Sequence, residues 1–271
     1  MSKMANEFPQ VMTIAGSDSD GSAGMQADLY TFFARKVHGA AVMTAAVAGN
    51  SYGIHASIAL PTDFIDQEFA DLADDYKILA AKTGMLADST LIKNVVKNYK
   101  KYDFGPLVVD PVIMTKHGAQ LLEESAFATL RKELVPLATV ITPNFFEAEK
   151  LAEMKITSDA DMEAAARKIK AMGARNVVVK GQHHDSTQAE VRDFVLLESG
   201  KSFWLTETYI DTDRVNGTGD SLSACITAEI AKGSDIESAI RAAKKFVHVA
   251  IANEIQVGHK FGPINHWAYQ N

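Results

Sequence analysis

Val11-Met12-Thr13-Ile14-Ala15-Gly16, then Ser17-Asp18-Ser19-Asp20-Gly21-Ser22, then Ala23 to Arg35, is the stretch on which the fold turns. The first six residues are a short apolar run stopped by glycine, the pattern of a buried strand. The next six are loop by composition. In the third part Leu29, Phe32 and Phe33 recur at helical spacing. Strand, loop and helix follow one another here, and the alternation continues along the chain. Apolar runs predict strands at Ala41–Ala48, Ser57–Leu60, Ile78–Lys82, Leu107–Val109, Thr139–Thr142 and Asn176–Val179. Amphipathic spacing predicts helices at Asp63–Tyr76, Ser89–Tyr99, Leu121–Leu134, Phe145–Met154 and Asp159–Met172. A hairpin around Ser199-Gly200 and two helices, Ser221–Lys232 and Asp235–Asn253, precede a polar tail. This order predicts an α/β fold of three layers, α/β/α, with a mainly parallel central sheet covered by helices on both faces. No repeat, low-complexity tract or Pro/Gly/Ser-rich linker divides it, so one domain over residues 1–271 is expected, with 1–10 as a polar N-terminal extension.

The composition narrows the function. The 271 residues are 47% hydrophobic and 23% charged, ordinary for a globular chain. A net charge of −7 argues against a nucleic-acid partner or an anionic membrane surface. The single cysteine, Cys225, excludes an intramolecular disulfide and fits a reducing, cytoplasmic setting. Met1 to Gln10 carries no apolar signal-peptide core. Val37 to Thr62 lacks Asp, Glu, Lys and Arg, but Gly39, Gly49, Asn50, Gly53, His55 and Pro61 interrupt it. It reads as buried strands joined by a mobile turn rather than as a membrane span.

In a parallel sheet, ligands sit beyond the carboxyl ends of the strands. The residues expected there are Gly16-Ser17-Asp18, Lys82-Thr83-Gly84, Asp110-Pro111, Pro143-Asn144 and Lys180-Gly181. So many polar and glycine residues at one end of the strands are hard to explain by packing alone. Beside them belongs Asn216-Gly217-Thr218-Gly219-Asp220, read as a tight turn before a helix with Leu222, Ile226 and Ile230 on one face. Two glycines let the backbone N–H groups point the same way at the positive end of a helix dipole, which favours a bound phosphate. Asp220 adds a carboxylate beside that pocket. An anion hole with an adjacent base is what phosphoryl transfer to an alcohol requires. The same letters also suit a plain turn with Asp as a helix cap.

Taken in order, these stretches resemble the ribokinase-like superfamily, and more closely its branch of hydroxymethylpyrimidine kinases and bacterial pyridoxal kinases. The resemblance runs from about Val11 to Trp267. It is carried by Thr13–Asp18 with Gly24–Asp28, Lys82–Leu86, Asp110–Val112, Leu134–Thr139 running into Thr142-Pro143-Asn144, Glu147-Ala148, Asn216–Asp220 with Ser223-Ala224, and Gly262–Trp267. It implies ATP-dependent phosphorylation of a hydroxymethyl group on a small heteroaromatic ring, without a large lid domain. It implies Asp220 as the base, with Gly217, Thr218 and Gly219 as the anion turn. Lys180, Gly181, Asn144 and Asn216 are implied at the nucleotide, and Glu147 and Asp110 at Mg²⁺. The loop from Gly16 is implied against the acceptor, with Asp18, Gly49 and Met85. Close relatives in the branch carry Cys where this chain has Asp220, while Asp is usual across the wider superfamily. A carboxylate at a helix N-terminus is a weak base, but in a loose transition state the alcohol proton leaves late and orienting the hydroxyl suffices.

The acceptor is read from one position. Hydroxymethylpyrimidine kinases carry a Gln whose amide reads the pyrimidine edge; the matching segment here is Ala48-Gly49-Asn50. Gly49 cannot make those bonds, which favours a B6 vitamer. The ending Gly262–Tyr269 likewise resembles that of bacterial pyridoxal kinases. Gly49–Gly53 is expected to act as a flap or as a simple hairpin turn. A homodimer is expected from the resemblance. Other readings are a vitamin carrier that keeps the pocket, and a sugar kinase, against which the lack of a lid between the early strands weighs. His183 and His184 read as solvated loop residues, since adjacent histidines are poor chelators of one ion.

Overall fold

The computed structural model describes residues 8–113, 122, 124–182 and 187–269. Among them nine strands form one sheet, in the order β3-β2-β1-β4-β5-β6-β7-β8-β9. These are β1 (Gln10–Asp18), β2 (His38–Asn50), β3 (Gly53–Ala59), β4 (Ile78–Thr83), β5 (Leu107–Val109), β6 (Ala138–Ile141), β7 (Asn176–Val179), β8 (Glu190–Leu196) and β9 (Ser202–Thr208). From β2 through β7 all neighbours run parallel; β3, and β8 with β9, close the two edges antiparallel. The α/β architecture read from the alternation is the one observed.

The helices are α1 (Gly24–Ala34), α2 (Thr62–Asp75), α3 (Ser89–Lys101), α4 (Glu124–Thr129), α5 (Phe145–Ala152), α6 (Asp159–Ala171), α7 (Thr218–Ala231) and α8 (Ile236–Ala252). The two-residue period of the strands sends alternate side chains to opposite faces. Leu107 and Val109 join the core under α2 to α6, with Phe69, Ile92 and Leu151; Val108 joins the core under α7 and α8, with Ile226 and Phe246. Because both faces are covered, the central strands are mostly apolar, as parallel sheets require. Cys225 lies in the second core, where burial pushes its thiol up to about 12. Among the described residues no helix is long and apolar enough to cross a membrane.

Two expectations change. The segment Val37–Thr62 is not a pair of buried strands. β2 is partly buried, and every residue of β3, at the edge of the sheet beside β2, is exposed. The tight turn at Asn216–Asp220 is shorter than its composition suggests. α7 begins at Thr218, so Gly219 and Asp220 belong to its first turn, with Gly217 as cap at φ +76°.

The parallel order brings the ends of β1, β4, β5, β6 and β7 to one edge. Backbone bonds stitch that edge together: Gly84 N–H donates to Ile14 at 2.9 Å, Asp110 to Thr83 at 3.2 Å, Thr142 to Val109 at 2.9 Å and Lys180 to Pro143 at 2.9 Å.

Candidate active site

Gly217 is glycine for two reasons. Its φ is positive, and a Cβ there would run into the carbonyl oxygen of Ser22 and stand 3.1 Å from Ala27 Cβ. That close approach sets the loop after β1 against the start of α7. Asn216 pairs with the C-terminal segment: its N–H donates to Gly262 at 3.0 Å and its carbonyl accepts from Ile264 at 3.3 Å. Thr218 Oγ1 donates to Val215 at 2.5 Å, and Ser221 N–H to Gly217 at 2.8 Å. The N–H groups of Gly219 and Asp220 lie in the first turn, where an α-helix has no carbonyl to offer them. This is a seat for an anion.

Lys180 and Asp110 stand over that seat. A Cβ on Gly219 would lie 3.1 Å from Lys180 Nζ and 3.4 Å from Asp110 Oδ2, so the glycine leaves the space they occupy. Lys180 Nζ is 3.7 Å from Asp110 Oδ1. Burial raises the Asp110 carboxyl above its usual range, against the pull of Lys180 and Lys82. Gly181 donates its N–H to Asp193 Oδ1 at 2.9 Å, and Lys244 answers Asp193 Oδ2 at 2.7 Å. The structure thus brings Lys180, Asp110, Gly219 and Asp220 together as the strand ends predict.

Asn144 and Glu147 are engaged with the backbone. They form a capping box on α5: Asn144 Oδ1 accepts from Glu147 N–H at 2.9 Å, and Glu147 Oε2 accepts from Asn144 N–H at 2.7 Å. Glu147 Oε1 accepts from Ile113 N–H at 2.9 Å. Buried at this position, the Glu147 carboxyl is pushed up to about 7. Carboxylate and amide oxygens are the ligands that suit Mg²⁺, usually through water. Among the described residues no three His, Cys, Asp or Glu side chains converge as a metal centre. Thr83 and Thr142, at this same edge, bury hydroxyls that have no partner among the described residues.

On the other side of the loop, Gly16 makes room for Met85: a Cβ there would lie 2.9 Å from Met85 Cε. Thr44 Oγ1 holds the Met85 carbonyl at 2.9 Å. Asp18 organises its own loop; its Oδ2 accepts from Ala23 N–H at 3.1 Å and from Ser22 Oγ at 3.4 Å. Burial first, and Asp20 second, push the Asp18 carboxyl up to about 6. Gly49 is tied to Ser19, whose Oγ bonds both its N–H and its carbonyl at 2.9 Å. His183 and His184 lie outside the described residues.

Sequence reading passed over a buried charge cluster. Lys82 Nζ donates to Asp28 Oδ1 at 2.6 Å, and Thr13 Oγ1 to Asp28 Oδ2 at 2.6 Å. Lys82 Nζ also stands 3.9 Å from Asp220 Oδ1. Burial raises the Asp28 carboxyl to about 7 although Lys82 pulls it down. The available signal was a lysine ending an otherwise apolar parallel strand, where a charge needs a partner. His266 was also missed. Its Nε2 is 2.8 Å from Ser221 Oγ, next in sequence to Asp220.

The chain matches the phosphomethylpyrimidine kinase family over residues 18–265. It is 42% identical over 261 residues to the hydroxymethylpyrimidine/phosphomethylpyrimidine kinase of Haemophilus influenzae, covering 96% of this chain and 97% of that one. A pyridoxal kinase of Bacillus subtilis, solved as an ADP complex, superimposes with a TM-score of 0.88 at 38% identity, over 97% of this chain and 98% of that one. The pyridoxal kinase of Staphylococcus aureus, solved with AMP-PCP and pyridoxal, gives a TM-score of 0.88 at 33% identity, over 97% and 95% of the two chains. The fold, the strand-end cluster and the match along nearly the whole chain make this protein a member of the phosphomethylpyrimidine kinase family, with the ribokinase-like fold.

Proposed function

We propose that this kinase transfers the γ-phosphoryl group of ATP to the hydroxymethyl group of pyridoxal, and of pyridoxine and pyridoxamine, giving the 5′-phosphates. The observation that supports phosphoryl transfer is the meeting of Lys180, Asp110, Gly219 and Asp220 at the open turn of α7. In this reading the first-turn N–H groups and Lys180 hold the phosphates. Asp220 accepts the hydroxyl proton and aims the oxygen at phosphorus. Asp110 and Glu147 would hold Mg²⁺, which would neutralise phosphate charge. Gly181, held by Asp193, and Asn216 shape the nucleotide side; Gly16, Asp18 and Met85 line the acceptor side.

The choice of pyridoxal rests on Gly49. A Cβ at this position would stand 2.9 Å from the Gly53 carbonyl oxygen and 3.3 Å from Ile54 Cα. The hairpin would have to shift to take any side chain here, and glycine itself offers no amide to a pyrimidine edge. A second reading, phosphorylation of hydroxymethylpyrimidine, is favoured by the 42% identity to the Haemophilus influenzae enzyme. A coupled assay of ADP release with Mg²⁺, run in parallel on pyridoxal and 4-amino-5-hydroxymethyl-2-methylpyrimidine, decides between them. Pyridoxal-dependent turnover is expected. Turnover with the pyrimidine alone replaces the first reading by the second, and turnover with neither overturns both.

A further inference from the structure

We propose that Lys82 is a positioning residue for the phosphoryl transfer: anchored by Asp28, its ammonium orients the Asp220 carboxylate toward the acceptor hydroxyl. The inference rests on the role given to Asp220 above. Lys82 and Asp28 have no solvent-exposed side-chain surface, whereas the Asp220 side chain is 19% exposed. The cluster is thus closed on the Lys82 side and open on the Asp220 side. Three rigid elements supply it: Asp28 from α1, Lys82 from the central strand β4, and Asp220 from the first turn of α7.

A fully buried ion pair is a poor way to hold a core together, because apolar residues of the same volume are usually at least as stable. Packing therefore does not account for Lys82. Its geometry does suggest a use. An ammonium carries three donors and no acceptor. One donor goes to Asp28 Oδ1 at 2.6 Å, and Asp28 is itself fixed by Thr13 Oγ1 at 2.6 Å. Nζ is thereby held in place, 3.9 Å from Asp220 Oδ1. With Oδ1 drawn toward Lys82, Oδ2 of Asp220 is left to accept the hydroxyl proton as the oxygen–phosphorus bond forms and the bond from phosphorus to the ADP oxygen breaks. Lys82 neither gains nor loses a proton in this step. A fixed charge beside the base keeps it aimed without reorganisation at the moment of reaction.

The test is a double-mutant cycle of Lys82→Met and Asp220→Asn, read by kcat, KM and ADP affinity, together with a crystal structure of Lys82→Met. Loss of about 100-fold in kcat is expected for Lys82→Met, the size of a misplaced catalytic group. The KM values for both substrates and the ADP affinity stay near wild type. Lys82→Met adds no further loss in the Asp220→Asn background, because the two act as one unit. The crystal structure shows the Asp220 carboxylate turned from its wild-type rotamer. An equal loss in both backgrounds, or an unmoved Asp220 carboxylate, overturns the proposal. If Lys82→Met strands Asp28 and fails to fold, Asp28→Asn/Lys82→Met removes both charges and carries the same comparisons. Wild-type protein that releases no ADP with either ring alcohol sinks the functional reading instead, and the Asp220 rotamer still decides the role of Lys82.

Discussion

Asp220 is where chemistry and fold separate most cleanly at the scale of single residues. It is partly exposed and stands in the first turn of α7, and asparagine keeps its size while giving up the charge that faces Lys82. Asp220→Asn should keep the thermal midpoint of the wild type and lower kcat by about 10²- to 10⁴-fold, the usual contribution of a positioned base. Near-normal turnover in a coupled assay would remove Asp220 from the mechanism. Gly217 should behave in the opposite way. Alanine there meets the Ser22 carbonyl and a φ of +76°, so Gly217→Ala is expected to destabilise by about 1–3 kcal/mol, read as a lowered midpoint in urea. At Gly219 the nearest atoms to an added Cβ are the side-chain ends of Lys180 and Asp110, so that substitution should disturb the phosphate seat more than the fold.

The link between elements that the sequence conceals is the C-terminal segment. Asn216 pairs with Pro263, and His266 reaches back to Ser221 on α7, so the tail braces the anion turn. Burial holds the His266 ring down at about 4, below its ordinary 6.5. Between those values the unfolded chain binds a proton that the folded chain refuses, so this residue's contribution to stability is present above about pH 6.5 and is lost as pH falls toward 4. Asp28 and Glu147, raised to about 7 by burial, run the other way: they favour the folded state more as pH falls. The difference between wild type and His266→Gln isolates the histidine. Urea titrations from pH 4.5 to 7 should show the wild type losing stability relative to the variant as the solution is acidified. A pH-independent difference would mean that the ring is not held neutral.

Over the whole molecule the sheet leaves one edge strand uncovered. β3 exposes all seven residues, including Ile54 and Ile58, which lie on either side of a register shift against β2, and Phe64 beyond it is half exposed. An apolar open edge invites pairing, and a second copy of the chain is the partner expected for it. Sedimentation should give a dimer, and Ile54→Lys/Ile58→Lys should give a folded monomer; a wild-type monomer would refute the expectation. Much of this architecture was legible beforehand. Apolar runs and helical spacing record which residues are buried on one or two faces, and that local pattern determines the strands, the helices and the parallel order of the α/β fold. The strand-end residues and the glycine turn followed from it, because a parallel sheet collects those ends at one edge. Only the tertiary structure decided which charges meet. Lys82 and Asp28 are 54 residues apart, and Asp220 comes from a third element. Their contact depends on the register of β4 beside β1 and on how α1 and α7 pack over them. The same holds for Glu147, whose oxygens go to backbone groups at Ile113 and Asn144, and for β3, whose apolar residues are exposed at the edge of the sheet. Local periodicity records the burial of a residue but not its partner, since pairing energies between distant groups arise only once the chain has brought them within a few ångströms.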